Sequence, residues 1–396
     1  MPIPLDYLIL GLGGMGSSAL YHLARRGLNV LGVEQFGVAH DRGSSHGETR
    51  IIRKAYFEHP NYVPLLERAY ELWRELEQES GKALFNPCGL MVAGPPEGEV
   101  VQGVRLAARL YDIAVEDVSS QEAKERFPGF QIPDHFEVTW EPEAGFLYVE
   151  ECVRTQIECA ISAGAQVCLN EKIISVSIND DLIEVKTETQ HYIASGMIVT
   201  TGAWSSSCLQ ELNLPLEVVR KVLFWNPVRE PLYNLDTGKG CFFFEMPYGE
   251  FYGFPSLDGE TVKLAEHGGG TTVTDPGNVN RALLETDTPS VSRFIREVMP
   301  ALEPEPKRHA TCMYTRTPDR HFIVDRHSRN QRVVYGAGFS GHGFKFASVI
   351  GEILADLATH GSIRSIFWQR VDLFPVEIRL CPDLPSRLRG HVRQES

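Results

Sequence analysis

Apolar residues at the start of the chain follow a strand–helix–strand pattern. A short apolar run at residues 7–10 predicts a buried strand. Apolar residues then recur at helical spacing over 19–24, and Gly27 provides the stop signal of this helix. A second apolar run, LNVLGVE at 28–34, predicts the next strand. This order is typical of the first crossover of a parallel α/β sheet.

Further along the chain the hydrophobic period changes several times. Residues 63–80 and 151–164 carry apolar positions at helical spacing. Residues 221–310 alternate apolar, aromatic and turn residues, which predicts antiparallel strands. An apolar strand, a glycine-rich turn and a helix return at 332–361. The pattern predicts an α/β fold (α+β mixed), with a Rossmann-type domain and a discontinuous second domain built on an antiparallel sheet.

The returns of the first pattern divide the chain between two discontinuous domains. An apolar strand that meets Thr-Gly-Ala at 201–203 indicates a return to the first sheet. We therefore predict a dinucleotide-binding domain that comprises residues 1–85, 146–220 and 311–396. A substrate or catalytic domain comprises residues 86–145 and 221–310.

The composition narrows the class of protein. The chain has 396 residues, 43% of them hydrophobic and 23% charged, as in an ordinary globular protein. The net charge of −14 disfavours nucleic acid and anionic membrane surfaces as partners. Eight cysteines contain no CxxC pair, so we predict reduced thiols and no metal site. No basic leader and no apolar run of membrane-spanning length occur, which favours a cytoplasmic location.

The first turn carries the G-x-G-x-x-G spacing of a dinucleotide-binding fold. Gly11 allows a tight turn, Gly13 lets the backbone approach a pyrophosphate, and Gly16 lets the helix pack on the sheet. The helix N-terminus presents unpaired N–H groups to the phosphates. Glu34, which ends the second strand, can accept hydrogen bonds from the ribose hydroxyls of an adenosine. These residues do not distinguish NAD from FAD.

The loop that follows, residues 37–62, favours FAD. An NAD-binding fold would usually continue into another short crossover, whereas this loop is long and rich in glycine, serine, histidine and arginine. The backbone from Gly43 to Ser45 can lie against a flat aromatic ring. Arg50 and Arg53 share a face if this segment is helical. From the segment alone, a solvated charged face explains these two arginines equally well.

Several later residues are ambiguous when the sequence is read alone. Lys263 and His267 lie four residues apart, so on a strand they face the same side, as do Tyr252 and Phe254. A surface histidine and a core aromatic residue are the simpler explanations of His267 and Tyr252. Cys312 lies in a polar, threonine-rich run, although a cysteine is usually a small buried apolar residue.

The glycine-rich turn at 336–343 follows an apolar strand and opens a helix, as the first turn does. The N-terminus of that helix can face an electron-rich ligand. Lys345 falls in the first helical turn, where the helix dipole does not favour a cation. This position indicates that Lys345 serves a ligand, although a side chain that extends into water also explains it.

Four stretches occur together in this chain: GLGGMG with Glu34, GSSHGETRIIR, TCMYTRTPDRHFIVD and GAGFSGHGFKFA. This set resembles the monomeric sarcosine oxidase and N-methyltryptophan oxidase family, within the D-amino-acid-oxidase-like flavoproteins. The resemblance covers residues 5 to about 370. It implies one FAD per chain, held by the Rossmann-type domain, and it favours a monomer.

The resemblance assigns the glycine fingerprint and several later residues to the flavin. Cys312 corresponds to the cysteine that carries the flavin through a thioether to a ring methyl group, so a covalent FAD is expected. Arg50 and His46 correspond to residues that lie against the flavin. The expected cofactor-binding residues are Gly11, Gly13, Gly16, Glu34, Ser45, His46, Thr49, Arg50, Cys312, Gly341, Gly343 and Lys345.

The resemblance also implies roles around the substrate. Arg53 and Lys345 resemble the pair that holds the substrate carboxylate, which suits the bidentate geometry of an arginine fork. Lys263 resembles the lysine over the flavin face, where a cation would stabilise charge that develops on O₂. The expected catalytic residues are Lys263, Arg50, His267 and Tyr252, and the expected substrate-binding residues are Arg53, Lys345, Phe243 and Tyr314.

One position departs from the sarcosine-specific pattern. Where those proteins have a methionine in the strand before Tyr252, this chain has Phe243, within an aromatic run at 242–244. This difference leaves open the size and shape of the pocket, and with them the amine substrate.

The expected reaction is oxidation of a secondary amino acid, N-methylated or cyclic, by FAD and O₂. The imine product hydrolyses, which from sarcosine gives an amino acid and formaldehyde, and reoxidation of the flavin gives hydrogen peroxide. N-methyltryptophan and L-pipecolate are alternative substrates. A flavin dehydrogenase with another electron acceptor and a binding protein without chemistry are the competing functions.

Overall fold

The computed structural model describes residues 5–179, 182–235 and 240–362. Within these residues the strands form sheets of eight, nine and three strands. The eight-stranded sheet has a Rossmann-type parallel centre, and the nine-stranded sheet is antiparallel except for one pair. The predicted α/β (α+β mixed) fold class is therefore confirmed.

The described strands are, in chain order, β1 (Leu5–Leu10), β2 (Val30–Glu34), β3 (Thr49–Ile52), β4 (Phe85–Asn86), β5 (Leu90–Gly94), β6 (Glu116–Val118), β7 (Glu137–Glu141), β8 (Gly145–Tyr148), β9 (Gln166–Leu169), β10 (Ile173–Ile178), β11 (Ile183–Thr187), β12 (His191–Val199), β13 (Glu217–Pro227), β14 (Cys241–Met246), β15 (Gly249–Gly253), β16 (Thr261–Glu266), β17 (Thr271–Thr272), β18 (Arg308–Arg316), β19 (Ile323–Arg326) and β20 (Val333–Ala337). The described α-helices are α1 (Gly14–Arg25), α2 (Val63–Ser80), α3 (Glu99–Tyr111), α4 (Ser120–Arg126), α5 (Val149–Ser162), α6 (Ser205–Cys208), α7 (Pro289–Val298) and α8 (Ala347–His360).

The eight-stranded sheet holds the glycine fingerprint. Its order is β10-β11-β12-β1-β2-β9, and β20 pairs with β12 and β19. β1 runs parallel to β2 and β12, and β12 runs parallel to β20. The backbone leaves these four strands at Gly11, Gln35, Thr200 and Gly338. Their carboxyl ends therefore open at one edge of the sheet, where ligands of parallel α/β folds bind.

Helices cover one face of this sheet. α1 packs against α5 and α8, and α2 packs against α8. The buried core between them includes Leu20, Trp73, Ile157 and Ile350. α2 occupies the predicted 63–80, since its apolar positions recur every three to four residues along one face.

The nine-stranded sheet follows the order β17-β13-β16-β15-β14-β5-β7-β6, with β18 paired to β13. Its side chains alternate between two apolar clusters because successive residues of a strand point to opposite faces. Along β14, Phe242 and Phe244 pack in one cluster and Phe243 in the other. α7 covers the first face, where Phe294 stacks on Phe251 at 4.5 Å between ring centroids.

The same alternation aligns predicted site residues from four strands. Phe243 on β14, Tyr252 on β15, and Cys312 and Tyr314 on β18 belong to one cluster. Lys263 and Ala265 lie two residues apart on β16, so their side chains face the same side of the sheet. Ala265 belongs to this cluster. Strands that are distant in the chain therefore present their functional side chains on a single face of the sheet.

The helical conformation considered for Arg50 and Arg53 does not occur. The segment with Arg50 and Arg53 is not helical, because Thr49–Ile52 forms β3 and pairs with β8. The two arginines therefore share no helix face. β3, β8 and β4 form the three-stranded sheet, so hydrogen bonds to β8 hold this segment extended.

The predicted domain boundaries at 220/221 and 310/311 fall inside β13 and β18. These strands pair along most of their length, from Glu217 with Arg316 to Trp225 with Arg308. Both strands belong whole to the nine-stranded sheet, and the division of the chain into two domains stays a prediction. The other boundaries stay a prediction, and residues 363–396 of the first domain lie outside the described residues.

Among the described residues, no helix combines the length and the apolar character that crossing a membrane requires.

Candidate functional site

A cavity of about 310 Å³ opens at the edge where the parallel strands end. One end is lined by the turns after β1, β2 and β12, and includes Gly11 and Glu34. The other end reaches Arg53, His267 and Lys345 and the functional face of the nine-stranded sheet. The cavity therefore joins the two large sheets, with space for a long, bent ligand.

The glycine fingerprint is packed as its spacing predicts. Gly11 has φ +86°, and a Cβ there would lie 2.8 Å from the carbonyl oxygen of Thr200. A Cβ on Gly16 would lie 1.8 Å from the carbonyl oxygen of Gly11, so α1 can approach β1 only with glycine at this position. Gly13 is less crowded, since the nearest atom to its Cβ would be Oγ of Ser45 at 3.6 Å.

Glu34 ends β2 with its carboxylate held by the backbone. Its Oε2 accepts a hydrogen bond from the backbone N–H of Leu12 at 2.8 Å, and its Oε1 accepts one from Phe36 at 3.1 Å. Nε2 of His40 lies 3.4 Å from Oε1. A carboxylate has about four acceptor sites, so Glu34 keeps capacity for ribose hydroxyls.

Hydrogen bonds to other parts of the chain hold the loop at 43–50. Gly14 donates its N–H to Oγ of Ser45 at 3.0 Å, which links the loop to α1. Ser44 donates to the carbonyl oxygen of Met313 at 2.6 Å, which links it to β18. Nη2 of Arg50 donates to the carbonyl oxygen of Ser44 at 2.9 Å. The loop therefore bridges both sheets beside the cavity.

Cys312 lies in β18 next to this loop. Its Sγ is 3.6 Å from Nη2 of Arg50 and 3.7 Å from the carbonyl oxygen of Ser44. Burial raises the pKa of the thiol, but the neighbouring His46 and Arg50 more than offset this and lower the pKa to about 7. His46 is buried, and its Nε2 has no hydrogen-bond partner among the described residues. The thiol of Cys312 therefore lies beside a cation and beside an imidazole whose Nε2 is unsatisfied.

Lys263 is buried on the same face of the nine-stranded sheet. Its Nζ donates to the carbonyl oxygen of Thr49 at 2.6 Å and to Oγ1 of Thr49 at 3.0 Å. Burial and the charge of Arg50 lower the pKa of Lys263 well below its ordinary value. Lys263 and Thr49 line a second cavity of about 380 Å³, together with Trp225.

Arg53 lies at the other end of the first cavity, directly after β3. Its Nη2 lies 2.5 Å from Oε2 of Glu58, and its Nη1 donates to the carbonyl oxygen of Ala55 at 3.0 Å. The guanidinium carbon lies 4.3 Å from the ring centroid of Tyr56 and 4.0 Å from that of Phe57. Two rings and one carboxylate therefore fix the orientation of this buried cation.

Lys345 is the second buried cation at this end. Its Nζ donates to the carbonyl oxygen of His342 at 3.0 Å. Burial, followed by repulsion from Arg53, lowers its pKa to about 7. Burial would raise the pKa of Glu58, but Arg53, His342 and Lys345 attract its charge and lower the pKa to about 2. The two buried cations at this end of the cavity therefore stabilise the charged form of a carboxylate.

Aromatic residues form the wall between the two cations and the sheet. Phe243 lies 5.0 Å from Phe57 and 6.0 Å from His267, measured between ring centroids. The hydroxyl oxygens of Tyr252 and Tyr314 are 3.5 Å apart. Burial lowers the pKa of His267 to about 3, so its imidazole is neutral near pH 7.

The predicted site residues form two groups in space. The first cavity is lined by Gly11, Gly13, Glu34, Ser45, Arg50, Arg53, Phe243, Tyr252, His267, Tyr314, Gly341, Gly343 and Lys345. The other predicted residues lie behind this lining: Gly16 under the first turn, His46 and Cys312 beside the loop at 43–50, and Thr49 and Lys263 at the second cavity. No predicted site residue lies remote from both cavities.

The residues around the first cavity fit FAD. The turn after β1 and the carboxylate of Glu34 suit a pyrophosphate and a ribose, and the cavity continues from them to the functional face of the second sheet. The unsatisfied nitrogen of His46 and the buried thiol of Cys312 are beside this path. Among the described residues, no group of three or more His, Cys, Asp or Glu side chains could hold a metal ion.

Three functional residues were not identified from the sequence. Glu58, Tyr56 and His342 surround the cation pair, and Oη of Tyr56 lies 2.6 Å from Nδ1 of His342. Since Nε2 of His342 lies 3.0 Å from the carbonyl oxygen of Arg320, Nε2 donates and Nδ1 accepts from Tyr56. For Tyr56 and Glu58, the available signal was the sequence KAYFE that follows Arg53.

Comparisons with known proteins show the family to which the chain belongs. The family model described as FAD dependent oxidoreductase (DAO) matches residues 6–357. The chain is 40% identical to a monomeric sarcosine oxidase of Bacillus sp. (strain B-0618), over 90% of this chain and 92% of that protein. It is 35% identical to the N-methyl-L-tryptophan oxidase of Yersinia pestis (strain Pestoides F), over 88% of this chain and 94% of that protein.

Solved structures show the same fold at low sequence identity. NikD, an unusual amino acid oxidase essential for nikkomycin biosynthesis, has a TM-score of 0.81 and 22% identity, and the match covers 91% of this chain and 95% of NikD. L-proline dehydrogenase from P. horikoshii has a TM-score of 0.79 and 22% identity, with 95% and 96% of the two chains covered.

Proposed function

Because the chain belongs to the family of FAD-dependent oxidoreductases that includes monomeric sarcosine oxidase, we propose that it oxidises a secondary amino acid such as sarcosine, with FAD as cofactor and O₂ as electron acceptor. The products are an imine, which hydrolyses to an amino acid and formaldehyde, and hydrogen peroxide. N-methyltryptophan is the alternative substrate that a relative supports.

One observation carries this proposal: the same cavity joins a dinucleotide-binding turn to a pair of buried cations. Gly11 and Glu34 line one end, and Arg53 and Lys345 line the other. The reaction requires a site for the cofactor and a site for an amino acid carboxylate. Residues suited to each of these two tasks line one space, which supports the proposal.

Arg53 and Lys345 are the proposed anchors of the substrate carboxylate. The rings of Tyr56 and Phe57 already hold the guanidinium of Arg53 in place, so little side-chain entropy is lost when a carboxylate binds. Lys345 adds a second charge that the protein does not neutralise by a direct ion pair in the described residues. Two cations at one end orient the amino acid along the cavity.

The site selects the neutral form of the substrate amine. An ammonium group near Arg53 and Lys345 would be repelled, and burial weakens the screening of this repulsion. His267 is uncharged near pH 7, and burial raises the pKa of Tyr252, so neither supplies an anion to an ammonium, and the carboxylate of Glu58 is already paired with Arg53. Bound FAD would supply the acceptor for the two electrons of the C–H bond next to this nitrogen, with O₂ as the final acceptor.

Phe243 limits the substituent on the substrate. Its contacts with Phe57 and His267 close the side of the cavity that faces the nine-stranded sheet. An aromatic wall of this kind favours an N-methyl group or a small ring over a polar substituent. The aromatic residue in place of methionine therefore supports a compact, apolar amine substrate.

Lys263 is the proposed site of oxygen reduction. Thr49 accepts two hydrogen bonds from Nζ of Lys263, which fixes the position of this nitrogen. A buried cation stabilises negative charge that develops on O₂ more strongly than an exposed one would. The second cavity, which Lys263 lines, leaves space at this residue for a small molecule.

Cys312 is the proposed attachment point of the flavin. A thiol with a pKa of about 7 is substantially a thiolate at neutral pH, and a thioether requires that nucleophile. His46 and Arg50, which lower this pKa, are also predicted to lie against the flavin. We further propose that the protein is a cytoplasmic monomer.

The proposed function is tested by peroxide formation. The purified protein is incubated in air with sarcosine, N-methyltryptophan or pipecolate, and peroxide is measured. Peroxide with one of them, at a rate that saturates with substrate, is the expected result. A yellow protein that substrate bleaches without peroxide formation is a dehydrogenase, and a colourless protein contradicts the proposal.

A further inference from the structure

Two thiols lie close together outside the flavin cavity, where the connection from β4 to β5 meets the start of β14. Sγ of Cys88 is 3.9 Å from Sγ of Cys241. The backbone N–H of Cys241 donates to the carbonyl oxygen of Gly89 at 2.9 Å. A Cβ on Gly240 would lie only 2.6 Å from the carbonyl oxygen of Cys88. The two segments are therefore in direct backbone contact, which holds the sulfurs near each other.

The two thiols differ in exposure and in acidity. Cys88 is half-buried, whereas Cys241 is 1% exposed. The hydrogen bond with Cys241 lowers the pKa of Cys88, and burial raises the pKa of Cys241 well above its ordinary value. A small oxidant in water can therefore reach Cys88, while Cys241 can be reached only by its neighbour.

We propose that Cys88 and Cys241 form a peroxide-driven disulfide, in which Cys88 reacts first and Cys241 closes the bond. The proposal rests on the proposed function only for the source of the peroxide. Hydrogen peroxide that leaves the enzyme can meet the half-buried Cys88 of the same molecule. Neither cysteine lines the cavity, so the reaction does not require an empty active site.

The chemistry balances with one peroxide. The sulfur of Cys88 attacks one oxygen of H₂O₂, the O–O bond breaks, and a sulfenic acid and one water form. The sulfur of Cys241 then attacks the sulfur of Cys88, the S–O bond breaks, and a second water leaves with the proton of Cys241. In total two thiols lose two electrons and two protons, and the peroxide is reduced to two waters.

Closure needs only a short movement of the sulfurs. A disulfide has an S–S distance of about 2.05 Å, so the two sulfurs approach each other by roughly 1.9 Å. Rotation of the two side chains can supply this movement while the backbone contacts remain. The new bond would tie the first residue of β14 to the segment before β5, two residues from Phe243 on the same strand.

The experiment treats the purified holoprotein with hydrogen peroxide, alkylates the remaining thiols after denaturation, and maps peptides by mass spectrometry. The expected result is a linked Cys88–Cys241 peptide that thiol reductant separates. In Cys241→Ser, Cys88 should instead proceed to sulfinic acid, which the reductant does not reverse. In Cys88→Ser, the buried Cys241 should stay reduced.

Cys159 is the matched control, since it is also half-buried, lies outside the first cavity and makes no contact with another thiol among the described residues. The proposal is wrong if Cys159 is oxidised while Cys88 and Cys241 both remain alkylated, or if Cys88 is oxidised in the native protein without linkage to Cys241. Because the peroxide is added, this result does not depend on turnover. Linkage with added peroxide but none during turnover would support the disulfide and contradict peroxide release by the enzyme.

Discussion

The carboxylate of Glu58 lies 2.5 Å from the guanidinium of Arg53, at the end of the cavity that we assign to the substrate carboxylate. The pair is almost fully buried on the arginine side, with 4% of that side chain exposed. A substrate therefore exchanges one carboxylate for another at Arg53. Substrate affinity is the difference between these two interactions, and each can be changed separately.

Removal of the competing carboxylate should strengthen substrate binding. In Glu58→Gln, we expect the affinity for acetate, a carboxylate without an amine, to rise by about ten-fold, or about 1.4 kcal/mol. Titration of the flavin absorbance with acetate measures it. Glu71→Gln is the matched control, because Glu71 pairs with Arg68 and its side chain is 55% exposed. Equal affinities in all three proteins would show that Glu58 does not compete.

Loss of the Arg53 side chain should weaken substrate binding and leave FAD binding unchanged. In Arg53→Met, KM is expected to rise by about a hundred-fold, because charge-assisted hydrogen bonds contribute about 1.5–3 kcal/mol each. The flavin content should stay at one per chain. The double variant Arg53→Met with Glu58→Gln is the control, since it avoids a buried unpaired carboxylate. A double variant with normal KM would contradict the role of Arg53.

Lys345 should make carboxylate binding depend on pH. Its pKa is lowered to about 7, so Lys345 is charged below this pH and neutral above it. Acetate should therefore bind more weakly as the pH rises through 7, by up to about ten-fold per pH unit. Acetate has no amine, so the titration of a substrate nitrogen does not contribute. In Lys345→Met the same measurement should give a flat profile above pH 6 (about one unit above the pKa of acetic acid).

Lys263 should act on the oxidative half of the reaction. In Lys263→Met, reoxidation of the reduced flavin by O₂ is expected to slow by about a hundred-fold or more, since removal of a charge-stabilising group costs about 2.7–4 kcal/mol. Reduction of the flavin by substrate without O₂ should change much less. Stopped-flow absorbance separates the two steps. Thr49→Ser keeps the carbonyl and hydroxyl acceptors of Lys263 and should behave as the native protein.

Cys312 should determine whether the flavin survives denaturation. After acid precipitation, the native protein should keep its yellow colour in the pellet, whereas Cys312→Ser should release free FAD to the supernatant. Cys152→Ser is the control, because Cys152 is buried elsewhere and burial raises the pKa of its thiol. Free FAD from the native protein would exclude a thioether at this position.

The local patterns of the sequence predicted much of the fold and of the site. The G-x-G-x-x-G turn and the apolar runs around it specify strand, turn and helix, because a tight turn and a close helix contact each need a residue without a side chain. The alternation in β14 likewise places Phe243 opposite its neighbours. The family resemblance of four stretches then implied the bound flavin and the pair of cations, Arg53 and Lys345.

What the sequence by itself determined was therefore local: which residues lie on strands and helices, and which face each side chain takes. The tertiary structure decided the partners. Arg50 meets Cys312 across 262 positions of the chain, and Cys88 meets Cys241 across 153. The physical reason is that periods of two or 3.6 residues describe one element at a time, whereas these contacts depend on sheet order and register. The segment before Arg53 is a further example. Both a helix and a strand were acceptable there locally, and pairing with β8 made it a strand.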